Sequence, residues 1–389
     1  GDKDVSQLLQ ELPFSNAEDL REHSQDMLCS SQAEIKRIVT LNTSGTSAKP
    51  KRIFFTADDL DKTRMFFEHG MRLLIAAQDS ILVLLPSQRE NDVGSLLVQA
   101  LQGAGHRAQP LWPAHDAGAV ASVAESLKAR CLVGMPQHIL PLARESGLAC
   151  RLAPFLNSVL LCSDYAAPCV RNAISQSLDC RVHMHYGSTE SGLGGAVECE
   201  YGQGCHIREN DLLFEVIDPD SGDPVPEGRE GELVFTTLTR IGMPLIRYRT
   251  GDLGRLTSKR CPCGSILSRL QNVQGRLENR VELSNGLILT LVDLDNILLN
   301  FSEVTAYEAE LEYEEHGLSN PYKTEVLHLN LNTISHPCSN LVDSIYQVLQ
   351  ASPAIKQSLT CDNLKLKLSI CKENPNKSHT LKRKLLDRR

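Results

Sequence analysis

The sequence predicts an α/β protein in two parts. Residues 1–276 form a large domain of mainly parallel sheets flanked by helices, with a small barrel-like β region, and residues 277–389 form a small α+β domain. Three observations predict this. From about residue 57 to 185, apolar runs alternate with helical stretches, the pattern of crossover units and a parallel sheet. After Leu212, short runs separated by turn signals replace that alternation. From Gly275 the chain restarts as a compact set of strands and helices of ordinary small-domain size.

The elements follow in order. Residues 17–28 read as a short helix capped by Asn16. Asp58-Asp59-Leu60 open a helix from about Ala57 that reaches Ala77. Ile81-Leu82-Val83-Leu84-Leu85 is a continuous apolar run, suited to a strand buried on both faces. Helices at 94–102, 117–129, 136–146 and 168–178 alternate with strands at 107–111, 131–135, 158–162 and 181–185. Runs 213–217 and 232–236, with a turn at Asp218-Pro219-Asp220-Ser221-Gly222, read as an antiparallel hairpin region. The last part reads as strands near 280–290, helix 292–301, strands 307–313 and 324–332, helix 339–351 and strand 364–370.

Composition sets the class. The 389 residues are 41% hydrophobic and 23% charged, as in a globular protein. A net charge of −8 argues against nucleic acid or an anionic membrane as the main partner. No apolar run approaches the ~18 residues that span a bilayer. The opening Gly1-Asp2-Lys3-Asp4-Val5 lacks a basic-then-apolar leader, so a cytoplasmic protein is expected. Its 13 cysteines then read as free thiols or metal ligands rather than a disulfide framework. Cys29, Cys131, Cys150, Cys162, Cys169 and Cys180 stand singly in mixed apolar surroundings, mostly as small buried hydrophobes.

Four segments carry chemistry. Thr43-Ser44-Gly45-Thr46-Ser47-Ala48-Lys49-Pro50-Lys51 lies between two strand-like runs. Small hydroxyls, a glycine and lysines there make a loop suited to an anion, and the spacing is not that of the Walker phosphate loop. Tyr186-Gly187-Ser188-Thr189-Glu190, Tyr248-Arg249-Thr250-Gly251-Asp252 and Gln274-Gly275-Arg276 follow. In this order they resemble the adenylate-forming superfamily of acyl-CoA synthetases. Leu12-Pro13-Phe14, Leu245-Ile246-Arg247-Tyr248-Arg249-Thr250-Gly251-Asp252 and Cys261-Pro262-Cys263-Gly264 make the phenylacetate-CoA ligase branch the nearest likeness. The likeness runs from about Leu12 to Arg276 and more loosely beyond.

The resemblance implies formation of acyl-AMP from a small carboxylate and ATP, then transfer of the acyl group to coenzyme A. It implies that Ser44, Gly45, Thr46 and Lys51 wrap the β- and γ-phosphates, with Ala48 where glycine is usual. Tyr186, with Gly187 and Ser188, would lie at adenine, Thr189 at the α-phosphate, and Glu190 on Mg²⁺. Asp252 would accept both ribose hydroxyls, and Arg276 would reach ribose or phosphate. Arg247 and Arg249 alternate about a core-facing Tyr248, so both could be solvated. Lys382, in Asn376-Lys377-Ser378-His379-Thr380-Leu381-Lys382-Arg383-Lys384, falls in register with a late catalytic lysine, with Lys377 and Lys384 as fallbacks. The small domain is then mobile, pivoting near Leu277-Glu278-Asn279. Ser191-Gly192-Leu193-Gly194-Gly195 either leaves room for the acyl chain or is a plain turn, and Ser87-Gln88-Arg89-Glu90-Asn91-Asp92 is unusually polar for an acyl pocket.

Cys261-x-Cys263 followed by Gly264 resembles a metal knuckle. With Cys199 and Cys205 upstream it could make a tetrahedral thiolate zinc site, in which His206 competes with Cys205. A homodimer is allowed for. Rival functions are acylation or adenylation of a deazaflavin or a protein thiol, and a degenerate nucleotide binder.

Overall fold

The computed structural model describes residues 9–41, 49–314, 324–334, 338–360, 363–371 and 384–389. β1 (Ile35–Leu41) and β2 (Lys51–Thr56) pair antiparallel, with Leu41 opposite Lys51. β3 (Ser80–Leu84), β4 (Arg107–Pro110), β5 (Cys131–Gly134), β6 (Ser158–Leu161) and β7 (Arg181–Tyr186) lie parallel in the order β4-β3-β5-β6-β7. Helices Val93–Gly103, Ala117–Leu127, Pro136–Arg144 and Pro168–Leu178 connect them, as the alternation predicts.

The β region expected as a small barrel is instead an open continuation of this sheet. β8 (Ala196–Glu198), β9 (Cys205–Ile207), β10 (Leu212–Ile217), β11 (Gly231–Thr237), β12 (Tyr248–Thr257) and β13 (Arg269–Arg276) extend it beyond β7. The result is one 11-stranded sheet, β10-β11-β12-β13-β9-β8-β7-β6-β5-β3-β4. β8 and β9 bridge the two halves, and at three residues each they are too short to show a period.

The parallel strands are buried on both faces. Leu82 and Leu84 point into one apolar cluster, Ile81 and Val83 into the other, and β5 and β6 alternate likewise. The first expected helix is Ala17–Glu22, with the Asn16 side chain accepting from the Glu18 and Asp19 N–H groups. The helix expected to reach Ala77 spans Ala57–Met71 and opens with a reciprocal Thr56–Asp59 cap.

The C-terminal part follows the predicted order. β14 (Arg280–Glu282) and β15 (Ile288–Thr290) form a hairpin, and helix Leu291–Leu298 follows. β16 (Val304–Tyr313), β17 (Glu325–Thr333), β18 (Leu364–Cys371) and β19 (Leu385–Asp387) make a sheet in the order β18-β17-β16-β19, with helices Leu341–Ala351 and Pro353–Thr360. Leu294, Leu298 and Leu299 belong to the same apolar cluster as Ile139 and Leu142, and Arg144 donates to the Leu299 carbonyl. Among the described residues, no helix is long and apolar enough to cross a membrane. The described cysteines are free; Cys131, Cys162 and Cys180 are buried as expected, whereas Cys29 and Cys150 are exposed.

Candidate active site

β7 ends at Tyr186 and the chain turns at once. The Leu193 N–H donates to the Ser188 carbonyl at 2.9 Å, the Ser188 N–H to the Ser191 hydroxyl at 3.0 Å, and the Ser191 N–H to the Ser188 hydroxyl at 3.1 Å. The Ser188 hydroxyl is thus part of the turn itself. At Gly187 an added Cβ would stand 2.8 Å from the His185 ring and 2.9 Å from the Gly194 Cα. No larger residue fits this crossing of backbones.

The turn carries Glu190 inward until it is 4% exposed. Lys51, the first residue of β2, places its Nζ 2.6 Å from Glu190 Oε1. The buried Tyr248 hydroxyl stands 3.4 Å from the same oxygen. Burial alone would raise the Glu190 carboxyl, but the Lys51 ammonium outweighs it and brings the group down to about 2. Thr189 stands half-buried beside it.

A second group lies on neighbouring strands. Asp252 of β12 is directly opposite Arg276 of β13. The Tyr186 hydroxyl donates to Asp252 Oδ2 at 2.9 Å, and Arg276 Nε lies 3.2 Å from Oδ1. Burial, then the Asp252 charge, pushes the Tyr186 phenol well above its ordinary value, so it remains a donor. Burial works against the Arg276 cation, but Asp252 and Glu190 outweigh it and raise its pKa. A carboxylate has about four lone-pair sites, so Asp252 retains acceptor capacity after both contacts.

This second group borders a cleft of about 970 Å³. Tyr186, Gly187, Asp252 and Arg276 line one side, and residues 290–293 and Lys384 line the other. Glu278, in the single turn Leu277–Asn279, also faces the cleft. Ser44, Gly45, Thr46, Lys377 and Lys382 lie outside the described residues; of the phosphate-binding and late-lysine candidates, Lys51 and Lys384 are described.

Sequence reasoning missed two residues. Arg240 is half-buried, donates to the Glu190 carbonyl at 2.6 Å and lies 4.5 Å over the Phe55 ring. Burial lowers its guanidinium to about 10, still protonated at neutral pH, and its Nη2 is buried without a partner. His185 sits 6.1 Å from the Phe66 ring with both ring nitrogens unpartnered, and burial lowers it to about 4. Neither belongs to a local motif, so neither carries a signal in the sequence.

Three further segments have a definite setting. Arg247 is not solvated, being 4% exposed and paired with Glu215, whereas Arg249 is paired with the buried Glu232 and keeps 30% of its side chain exposed. At Gly194 the Phe66 ring fills the side-chain position, 2.3 Å from where a Cβ would stand. The polar run 87–92 serves its own loop, with the Asp92 carboxylate accepting from the Arg89 N–H and pairing with Arg37.

The thiol cluster is present with one exchange. The ligand atoms of Cys199, His206, Cys261 and Cys263 all lie within 4.8 Å of one another. Cys205 does not join them. Successive residues of β9 point to opposite faces, and the Cys205 thiol lies 3.5 Å from the Met184 carbonyl, on the other side from the cluster.

Comparison with known proteins gives the family. The family model for AMP-binding enzymes matches residues 4–239. The phenylacetate-coenzyme A ligase of Thermus thermophilus is 30% identical over 339 residues, covering 82% of this chain and 74% of the relative. The ligase of the same name from Escherichia coli is 31% identical over 170 residues, 43% of this chain and 38% of the relative. Among solved structures, a 2-hydroxyisobutyryl-CoA ligase in its postadenylation state superposes with a TM-score of 0.78 at 19% identity, covering 99% of this chain and 82% of that one. An anthranilate CoA ligase superposes with a TM-score of 0.61 at 15% identity, covering 89% and 64%. At those identities the structures speak for the fold, and the sequence matches speak for kinship. The chain belongs to the AMP-binding enzyme family, in its phenylacetate-coenzyme A ligase-like branch.

Proposed function

We propose that the chain is an ATP-dependent, AMP-forming acid–thiol ligase. In the first step a carboxylate oxygen attacks the α-phosphorus of ATP, the bond to the bridging oxygen breaks, and pyrophosphate leaves with that electron pair. In the second, the sulfur of coenzyme A attacks the acyl carbon, its proton passes to solvent, and AMP leaves. The carboxylate is already a nucleophile, so the protein's task is to place two anions together and stabilise phosphate charge.

One observation carries the reading. Tyr186, Gly187, Asp252 and Arg276 come together on the lining of the cleft, and the turn that follows Gly187 brings Glu190 to Lys51. Asp252 would accept the ribose hydroxyls, Tyr186 would lie beside adenine, and Arg276 would reach ribose or phosphate. Thr189 would meet the α-phosphate, and Ser44, Gly45, Thr46 and Lys51 the outer phosphates. Glu190, which the Lys51 ammonium keeps ionised, would offer a divalent cation its second carboxylate oxygen. Mg²⁺ held there would neutralise phosphate charge. Lys382 would act from the small domain, which would rotate about the Leu277–Asn279 turn between the two steps. ATP and coenzyme A are supplied in the cytoplasm, where this reading places the chain.

A panel of aryl, fatty and amino acids assayed for pyrophosphate, with and without coenzyme A, tests the reading. The expected result is pyrophosphate with one acid class and a thioester only when coenzyme A is present. Pyrophosphate without a thioester would move the acyl group to another acceptor. No pyrophosphate with any acid, while ATP still binds, would make the protein a nucleotide binder rather than a ligase.

A further inference from the structure

Two loops meet where the bridging strands join the antiparallel half of the sheet. One, between β8 and β9, begins at Cys199 and leads to His206 on β9. The other, between β12 and β13, carries Cys261-Pro262-Cys263-Gly264. β9 and β13 are hydrogen-bonded neighbours, with His206 opposite Arg269, so the two loops share one end of the sheet. Each loop is drawn tight. The Gly202 N–H donates to the Cys199 carbonyl at 3.2 Å and the Gly264 N–H to the Cys261 carbonyl at 3.0 Å, both glycines at positive φ. Arg269, 3% exposed, donates to the Gln203 carbonyl at 2.9 Å and the Lys259 carbonyl at 2.8 Å, one from each loop.

The side chains gathered at this junction are three thiols and one imidazole. Cys199 Sγ lies 3.6 Å from Cys261 Sγ, and Cys263 Sγ lies 3.5 Å from His206 Nε2. A tetrahedral zinc ion, with Zn–S of about 2.3 Å and Zn–N of about 2.0–2.1 Å, sets two sulfurs about 3.8 Å apart and sulfur and nitrogen about 3.6 Å apart. Both observed pairs match. Three sulfurs and one nitrogen are soft and borderline donors, suited to zinc and poorly suited to magnesium or calcium. Cys199, His206 and Cys261 are buried, and Cys263 stands at the rim.

We propose that Cys199, His206, Cys261 and Cys263 hold one tetrahedral Zn²⁺ ion, and that this ion clamps the β8–β9 loop to the β12–β13 loop. Four protein ligands leave no open position, so the site is structural. Three thiolates on a divalent ion leave one negative charge, and the Arg269 guanidinium that bridges both loops offsets it. The β8–β9 loop borders the cleft through Gly202, Gln203 and Gly204, and β13, which leaves the other loop, borders it through Gln271 and Asn272. The zinc ion therefore fixes one wall of the cleft without taking part in the reaction.

The test uses the full chain purified under reducing conditions from zinc-supplemented medium, and none of its readouts depends on ligase activity. Metal analysis should find close to one zinc per chain. Replacement by cobalt should give the visible ligand-field and thiolate charge-transfer bands of a tetrahedral site. Cys263→Ser, at the exposed rim, should fold and lose most of the metal, whereas Cys205→Ser should keep it. A chelator should lower Tm and raise hydrogen exchange at residues 199–206 and 259–265. Wild-type protein with neither zinc nor a cobalt spectrum, or with a Cys199–Cys261 disulfide in its place, overturns the site. Equal zinc in wild type and Cys263→Ser overturns the ligand set. Unchanged exchange in both loops after zinc removal overturns the clamp.

Discussion

Lys51→Met is expected to destabilise the ligand-free protein by about 3–5 kcal/mol, because removing one partner of a buried ion pair strands the other charge. Both side chains are largely enclosed, at 14% and 6% exposure. Neutralising the survivor should restore most of the loss, so Lys51→Met/Glu190→Gln should be nearly as stable as the parent. Activity should divide differently. Glu190→Gln should lower the rate of pyrophosphate formation by about 10²–10³-fold, the usual cost of losing one preorganised group at a developing charge. The double variant should be no better. Urea denaturation and a pyrophosphate assay read the two effects separately. The pH dependence follows from the same pair. The Glu190 carboxyl titrates near 2 in the folded chain against an ordinary 4.5. Its stabilisation is complete above pH 4.5 and is lost as the pH falls through 2. Between those limits, Lys51→Met should show a flatter loss of stability than the parent. An unchanged urea midpoint in Lys51→Met would show that the pair holds nothing together.

Arg247→Ala should cost a similar amount for a different reason. The guanidinium donates to Glu215 in a fork, from Nε to Oε2 at 3.2 Å and from Nη2 to Oε1 at 3.1 Å. Its Nη1 donates to the Gln10 and Leu12 carbonyls at 3.1 and 2.9 Å, and its face lies 4.0 Å from the Phe14 ring. One side chain thus fastens the N-terminal segment to β10 and to the start of β12. The backbone adds two bonds, from the Ser15 N–H to the Arg247 carbonyl at 3.1 Å and from the Arg249 N–H to the Ser15 carbonyl at 2.8 Å. Removing the guanidinium leaves Glu215, 16% exposed, without its partner, at a cost of about 3–5 kcal/mol. Arg247→Lys should recover little, because a point charge cannot reproduce the fork and the ring contact together. Limited proteolysis near residues 9–15 should become faster in both variants. Equal proteolysis in parent and Arg247→Ala would mean that the segment is held by its backbone alone.

The sequence was most readable where chemistry is local. Tyr186–Glu190 and Tyr248–Asp252 carry their turn residues and their candidate groups in one short stretch, so both stand out in the sequence without any knowledge of the fold. The parallel half of the sheet was equally plain, because strands buried on both faces, such as Ser80–Leu84, read as unbroken apolar runs. What could not be read is which distant residues meet. The strand order that continues the sheet through β8 and β9, rather than closing a barrel, depends on two three-residue strands without a detectable period. The Lys51–Glu190 pair spans 139 positions, and Arg240 reaches the Glu190 carbonyl across 50. The exchange of Cys205 for His206 turned on which face of β9 each residue occupies, and strand register was the one quantity the cysteine spacing did not contain.

The most direct measurement of the central claim, that these separated segments grip one nucleotide, is calorimetric titration of the chain with ATP in the presence of Mg²⁺, for the parent and for Asp252→Asn. One ATP should bind per parent chain. In Asp252→Asn the affinity should fall by roughly 30- to 150-fold, the equivalent of about 2–3 kcal/mol for charge-assisted hydrogen bonds. No binding to the folded parent, or equal affinity in the two proteins, would contradict the account.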